Sequence, residues 1–203
     1  MGTFLLANMS NQLVVLLHGI ARTSRSMNCI ARVLTKHNYA VMNIDYPSRS
    51  NTIDHLSEGI YQQLLTYPEV KDKKIHFVAH SMGCLALRVL LEKYKMQNVQ
   101  RIAVLGPPNQ GSEVADFARR IPLIKTFYGP ALAELTVANA TDHPFPLPPG
   151  CCHVGIIAGN FNVDPICYFM LTAPHDGKVT VNCTKLPNMA DHIALLTSHS
   201  FMM

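Results

Sequence analysis

Along most of the chain, short and largely apolar runs alternate with segments whose apolar residues recur at helical spacing. The runs predict β-strands at residues 13–17, 40–44, 75–79, 101–105, 154–158 and 193–196. Apolar residues three and four positions apart predict helices near residues 27–34 and 53–64, and residues 82–94 are apolar nearly all round, as in a buried helix. Because parallel neighbours in a sheet need crossover connections, this alternation predicts a mainly parallel, doubly wound α/β sheet of about six strands.

The segment between the fourth and fifth predicted strands, residues 106–150, is less regular than the rest. We interpret it as one excursion over the carboxyl ends of the strands, with short helices near residues 112–119 and 131–135. A chain of 203 residues, 48% of them hydrophobic, is long enough for one well-buried domain and short for two. We therefore expect residues 1–203 to form a single domain without a separate cap domain.

Composition argues against several classes of protein. The formal charge is +4, but Lys and Arg are scattered, and no basic run indicates a nucleic-acid partner. No apolar run reaches about 18 residues, so we expect no transmembrane segment. The apolar start at residues 1–7 is brief and lacks a charged beginning, which is atypical of a secretory signal and favours a cytoplasmic location.

The cysteines and acidic residues give no sign of a metal site. None of the six Cys residues forms a C-x-x-C pair, and no cluster has metal-ligand spacing, so we expect neither a metal nor another cofactor. Asp142-His143 comes nearest, but it lies in a Pro-rich loop. Cys29 and Cys84 fall on apolar helix faces, where a Cys is usually a small core residue. The vicinal pair Cys151-Cys152 has no chemistry that the sequence explains.

The strongest chemical signal is a serine in a sharp turn between a strand and a helix. The strand at 75–79 leads into His80-Ser81-Met82-Gly83 and then into the apolar helix. Ala79 and Gly83 are small, as a crowded turn requires, and such a turn projects a nucleophilic hydroxyl beside a helix N-terminus. The alternative is a serine that merely caps the helix. The full strand–turn–helix context favours Ser81 as a nucleophile.

A second signal follows the first strand, at His18-Gly19-Ile20. Acyl transfer needs two backbone N–H groups aimed at the developing oxyanion. Met82, the residue after the nucleophile, supplies one candidate donor, and Ile20 supplies the other. For His18 we favour a structural role, with a ring hydrogen bond that holds the loop.

The acid and the base are expected later in the chain. Where a nucleophilic serine lies in such a strand–turn–helix, the acid follows the serine along the chain, and the histidine comes last. Asp176 lies in a turn after the fifth predicted strand, and Asp164 is its rival. His199 follows the last strand, whereas His192 precedes it, so only His199 is expected at the carboxyl edge that holds Ser81. We expect His175 to be exposed or structural.

Five segments resemble bacterial α/β-hydrolases that act as lipases or esterases. They are VVLLHGI (14–20), AHSMG (79–83), LGPPNQGSEVAD (105–116), DGKV (176–179) and SHSFMM (198–203). The AHSMG turn is similar to that of the minimal, lidless lipases of Bacillus. The resemblance spans residues 13–203 and implies an α/β-hydrolase fold with a triad of Ser81, Asp176 and His199, and with Ile20 and Met82 as oxyanion donors.

These features predict a serine hydrolase that cleaves carboxylic esters, with a small-molecule ester or a lipid as its substrate. The same residues serve a thioesterase or an acyltransferase, and a non-catalytic scaffold of this fold is a further alternative. The excursion offers apolar side chains from which we expect part of an acyl groove. They are Ile121, Leu123, Ile124, Phe127, Tyr128, Leu132 and Phe145.

Overall fold

The computed structural model describes residues 11–139, 145–147, 153–171 and 173–203. Asp142-His143, Cys151-Cys152 and the first ten residues lie outside these ranges, as do the predictions made for them. None of the helices within these ranges is both long and apolar enough to cross a membrane. The same ranges contain no group of three or more His, Cys, Asp or Glu side chains placed to hold a metal ion.

Six parallel strands form one sheet, which confirms the predicted α/β architecture. They are β1 (Gln12–Leu17), β2 (Ala40–Ile44), β3 (Lys74–His80), β4 (Val99–Leu105), β5 (His153–Gly159) and β6 (Asp191–Leu195). Their order across the sheet is β2-β1-β3-β4-β5-β6, and every neighbouring pair is parallel. The last strand begins at Asp191 rather than at residue 193.

Helices follow most of the strands. Those in the described ranges are α1 (Asn28–Lys36), α2 (Ile53–Leu65), α3 (Met82–Tyr94), α4 (Glu113–Ala118), α5 (Pro122–Tyr128), α6 (Ala131–Glu134) and α7 (Pro165–Met170). Single 3₁₀ turns add Ser24–Met27, Val70–Asp72, Val137–Asn139 and Asn182–Thr184. The sequence patterns did not predict α5 or α7.

The sheet is covered on both faces, as doubly wound sheets require. Alternate residues of β1 point in opposite directions, so Leu13, Val15 and Leu17 join one apolar cluster with α2 and α3. Val14 and Leu16 join a second cluster with Met27 and α1. Cys84 is buried as predicted, whereas the prediction for Cys29 is wrong, because this residue of α1 is exposed.

The strand order fixes where a ligand can bind. The chain winds outward from β1 in one direction through β2 and in the other through β3, so β1 and β3 flank a switch point. Ligands of open parallel sheets bind beyond the carboxyl ends of the strands at such a point. The loop after β1 carries His18 to Ile20, and the turn after β3 carries Ser81.

Candidate active site

Ser81 occupies a strained turn between β3 and α3. Its backbone has φ 54° and ψ −125°, a region that residues with side chains rarely adopt. Its N–H donates to the Leu105 carbonyl oxygen at 2.9 Å, which ties the turn to the end of β4. The Ser81 side chain makes no capping hydrogen bond to α3. The alternative of a helix-capping serine is therefore wrong, and the hydroxyl is available for another partner.

Small residues let this turn approach the loop after β1. A Cβ at Gly83 would lie 2.6 Å from the His18 carbonyl oxygen and 2.9 Å from the Tyr46 hydroxyl. Both distances are shorter than any normal carbon contact, and one atom belongs to the backbone, so a larger residue would force the two loops apart. Ala79, the small residue on the other side of the turn, has no exposed surface.

Ser81, His199 and Asp176 form one continuous hydrogen-bonded chain. His199 Nε2 lies 2.9 Å from Ser81 Oγ, and His199 Nδ1 lies 2.7 Å from Asp176 Oδ2. Both distances are within reach for proton transfer and orientation. Ser81 lies in the turn after β3, Asp176 in a turn between β5 and β6, and His199 in the segment after β6. The structure thus brings together the three side chains that the sequence singled out.

The two rival residues have other partners. His192 does not precede the last strand as predicted but is the second residue of β6, at its amino end, and its Nε2 lies 2.8 Å from Thr184 Oγ1. Asp164 Oδ1 accepts the Cys167 N–H at 3.4 Å at the start of α7, the position of an N-cap residue. Its carboxylate also lies 3.7 Å from Lys178 Nζ. These contacts engage Asp164 as a cap and as an ion-pair partner.

The turn around Asp176 holds its carboxylate in place. Asp176 is only 2% exposed. Its Oδ1 accepts the N–H groups of Lys178 at 2.9 Å and Val179 at 2.8 Å, which leaves Oδ2 for His199. The Gly177 N–H donates to His175 Nδ1 at 3.0 Å, so the buried His175 stabilises the same turn. An ionised Asp176 fixes the Nδ1–H tautomer of His199 and frees Nε2 to accept a proton.

Gly106, at the end of β4, lies directly against the Asp176–His199 pair. Its φ is +52°, and a Cβ there would lie 3.1 Å from both Asp176 Oδ2 and His199 Nδ1. Glycine is needed for both reasons, because the left-handed backbone and the crowded space each disfavour a side chain. No sequence pattern predicted a role for Gly106, although its place immediately after a predicted strand was a usable signal.

His80 contacts the backbone of the base, a role that the sequence patterns did not predict. Its Nε2 lies 2.9 Å from the His199 carbonyl oxygen, an acceptor, so Nε2 carries the hydrogen. Burial and, to a smaller extent, the neighbouring His199 hold the pKa of His80 well below its ordinary value. A neutral His80 therefore acts as a fixed donor that positions the His199 backbone.

The loop after β1 is held by a buried His18 stacked on Tyr46. The ring centroids lie 3.9 Å apart and are nearly parallel. The Tyr46 N–H donates to His18 Nε2 at 3.4 Å, so Nδ1, 2.9 Å from the Gly19 carbonyl oxygen, carries the hydrogen. Burial lowers the pKa of His18, in keeping with a neutral ring. This is the structural role that the sequence predicts, and it fixes the backbone just before Ile20.

The two residues predicted as oxyanion donors, Ile20 and Met82, come from the loop after β1 and from the start of α3. Met82 is the first residue of α3, where backbone N–H groups have no intrahelical partner. Ile20 follows the fixed loop and lines the same cavity as Ser81 and His199. The roles of Ile20 and Met82 as donors to a developing negative charge stay predictions.

An apolar cavity of about 420 Å³ opens at Ser81 and His199. Four of the predicted apolar residues line it: Ile124, Phe127, Tyr128 and Leu132. Ile121 is not one of the lining residues, Leu123 is 81% exposed, and Phe145 is buried in the core. Phe117, Met170 and neighbouring residues of α4 and α7 also line the cavity, and the sequence patterns did not predict this.

Solved structures show which class of fold this chain has, that of the α/β-hydrolases. The mature lipase BlEst2 of Bacillus licheniformis is 20% identical, with a TM-score of 0.74 over 92% of this chain and 84% of that one. Phospholipase PlaB of Legionella pneumophila is 15% identical, with a TM-score of 0.73 over 93% of this chain and 53% of that one. The metagenomic carboxyl esterase MGS0156 is 18% identical, with a TM-score of 0.68 over 95% of this chain and 65% of that one. This chain thus spans about half of PlaB but most of BlEst2.

Within that class, the chain belongs to the palmitoyl protein thioesterase family. The family model matches residues 13–142. No curated protein matches the chain. The matched segment includes Ser81 and both oxyanion candidates but ends before Asp176 and His199, so the assignment of the acid and the base rests on the geometry described above.

Proposed function

We propose that the protein hydrolyses carboxylic esters through an acyl-enzyme on Ser81. One observation carries the proposal: the hydrogen-bonded chain from Asp176 through His199 reaches the Ser81 hydroxyl where an apolar cavity opens. A serine with an adjacent base, itself oriented by a carboxylate, is the arrangement that activates a hydroxyl for attack on an acyl carbon. A scaffold used only for binding would have no need of this geometry.

The reaction proceeds in two halves. Ser81 Oγ attacks the carbonyl carbon while His199 Nε2 takes its proton. The bond from carbon to the leaving oxygen then breaks, and His199 returns the proton to that oxygen. A water molecule next attacks the acyl-serine with His199 again as base, which releases the acid and restores Ser81. Asp176 remains ionised throughout and stabilises the imidazolium.

Backbone groups stabilise the charge that develops on the carbonyl oxygen. We assign this role to the N–H groups of Ile20 and Met82, on either side of the nucleophile. The N-terminus of α3 adds a favourable dipole. Removing one such donor typically costs about 10²–10³ in kcat, so the rigid loop around His18 and Tyr46 matters for rate as well as for folding.

The cavity supports an ester or lipid substrate with an apolar acyl group. Its walls are mostly aliphatic and aromatic, and its polar groups converge near Ser81, as in sites that bind small apolar ligands. Lipase, phospholipase and esterase activities among the structural relatives agree with this substrate class. We expect short-to-medium acyl chains to react from monomeric solution.

Thioester hydrolysis is the second candidate, and the family match favours it. The same acyl-serine forms from an oxygen ester or from a thioester, because only the leaving atom differs. Transfer of the acyl group to an alcohol instead of water is a third use of the same intermediate.

Butyryl esters and butyryl thioesters with comparable leaving groups test these proposals. Wild-type protein should release acid from the oxygen ester, and Ser81→Ala should reduce kcat by several orders of magnitude without a change in Tm. Intact-mass spectrometry should detect a butyryl adduct. A thioester rate that exceeds the ester rate by a large factor would place the protein among the thioesterases. Product trapped as a new ester with added alcohol would make it a transferase, and no turnover of either substrate would contradict the proposal.

We also propose a cytoplasmic location. Cell fractionation of the tagged full chain should recover it with cytoplasmic markers, and recovery from the medium or the membrane fraction would contradict this.

A further inference from the structure

Arg22 reaches from the loop after β1 to the residue that follows the base. Its Nη2 donates to Ser200 Oγ at 2.7 Å. Arg22 and Ser200 line the same cavity as Ser81 and His199. This hydrogen bond links the guanidinium to a residue 178 positions away in sequence. The catalytic mechanism described above makes no use of this cation.

Arg22 differs in its ion pairing from the other cationic side chain of the cavity wall. Within the described ranges, no carboxylate oxygen lies within ion-pair distance of its guanidinium, whereas Lys178, the other Lys or Arg of the cavity wall, lies 3.7 Å from Asp164 Oδ2. A guanidinium has five N–H donors in a planar fork that matches carboxylate and phosphate groups. The bond to Ser200 orients the fork and leaves further donors for a ligand.

The position of the base tells which part of a substrate meets Arg22. His199 must deliver its proton to the leaving oxygen or sulfur, so the leaving group lies on the His199 side of Ser81. Ser200, and with it Arg22, lies on that side. The acyl side is walled by apolar residues of the excursion, including Phe117, Phe127 and Leu132. An acyl chain would therefore contact apolar side chains, and an anionic leaving group would contact Arg22.

We propose that Arg22 forms an anion-binding subsite for the leaving group, which selects esters or thioesters whose alcohol or thiol part carries a carboxylate or phosphate. The proposal rests on the proposed function and deepens it, because it names the chemistry of the group that is released. Charge-assisted, bidentate hydrogen bonds from a guanidinium give such a subsite both binding strength and geometric selectivity.

Two butyryl esters that differ in charge but hardly in shape test the subsite. One has 4-hydroxybenzoate as its leaving group, and the other has the neutral 4-hydroxybenzamide. Wild-type protein at low salt should favour the anionic ester in kcat/KM by about five- to tenfold, the range expected for a partly exposed charged hydrogen bond. Arg22→Gln should reduce this ratio to about one, and Arg22→Lys should keep part of it. High salt should also reduce the wild-type ratio.

Arg25→Gln is the matched control, because Arg25 is an exposed arginine of the 3₁₀ turn that follows this loop and does not line the cavity. It should leave the ratio and both rates at the wild-type values. Equal loss of both rates in Arg22→Gln, with an unchanged ratio, would overturn the subsite and make Arg22 a structural clamp on Ser200. A wild-type ratio near one would also overturn it. Failure of wild-type protein to hydrolyse either ester would instead contradict the proposed function, and with it the subsite.

Discussion

Replacement of Gly106 by Ala tests how closely the Asp176–His199 pair depends on the backbone at the end of β4. The added methyl carbon would lie 3.1 Å from Asp176 Oδ2 and from His199 Nδ1, several tenths of an ångström closer than ordinary contact. It would also force a residue with a side chain to adopt φ near +52°. Both effects act on the acid and the base without removing a functional group.

The expected magnitudes follow from these two effects. The left-handed backbone costs about 1–2 kcal/mol for a residue with a Cβ. For a chain of this size that corresponds to a fall in Tm of roughly 2–8 °C. Relief of the contact moves the Asp176–His199 pair by a few tenths of an ångström. Since a 1 Å misplacement costs about 10²-fold in rate, we expect kcat to fall by about three- to tenfold.

Steady-state hydrolysis of a soluble butyryl ester and thermal unfolding by circular dichroism measure the two effects. Gly59→Ala is the control, because Gly59 lies in the middle of α2 with no heavy atom within 4 Å of the added carbon. It should leave kcat unchanged and stabilise the fold by about 0.5–1 kcal/mol. Wild-type kcat in Gly106→Ala would refute the argument that this glycine sets the geometry of the pair.

Three further predictions concern the base, pH and the substrate interface. His199→Ala should lower kcat by at least about 10³-fold, whereas His192→Ala should stay within about twofold of wild type, and the reverse result would move the base to His192. Because the pKa of His80 is held below its ordinary value of 6.5, the unfolded chain binds a proton there that the folded protein does not. The free energy of unfolding, measured with urea, should therefore fall as the pH drops below about 6.5. His80 should contribute up to about 1.4 kcal/mol per pH unit to this fall, and the fall should be smaller in His80→Gln. Rates with one ester should rise smoothly through its solubility limit, and a sharp jump there would make the 106–150 segment a mobile lid.

The core of the site could be predicted from sequence because its signals are local. The turn around Ser81 combines a buried strand, two small residues and an apolar helix within one continuous stretch, and the structure has the strained backbone that such a turn implies. His199 is far from Ser81 in sequence, but parallel strands bring their carboxyl ends to one edge, so chain order and strand ends sufficed to choose it over His192.

Other features depend on contacts that no local pattern shows. The helix α7 has a usable start signal, an Asp followed by Pro, and recognising Asp164 as a cap would have excluded it as the acid. The helix α5 was missed because its apolar residues were interpreted only as groove walls. His80 and Arg22 owe their roles to His199 and Ser200, which lie more than a hundred residues away, so their functions emerge only from the tertiary structure.

Labelling with a fluorophosphonate tests most directly the claim that Ser81 is a nucleophile activated by His199. The reagent reacts with an activated serine hydroxyl and hardly at all with an ordinary one. We predict a single phosphonyl adduct per chain on the peptide that contains Ser81, much slower labelling in His199→Ala, and none in Ser81→Ala at unchanged Tm. Labelling that persists in Ser81→Ala, or a wild-type protein that resists the reagent, would contradict the claim.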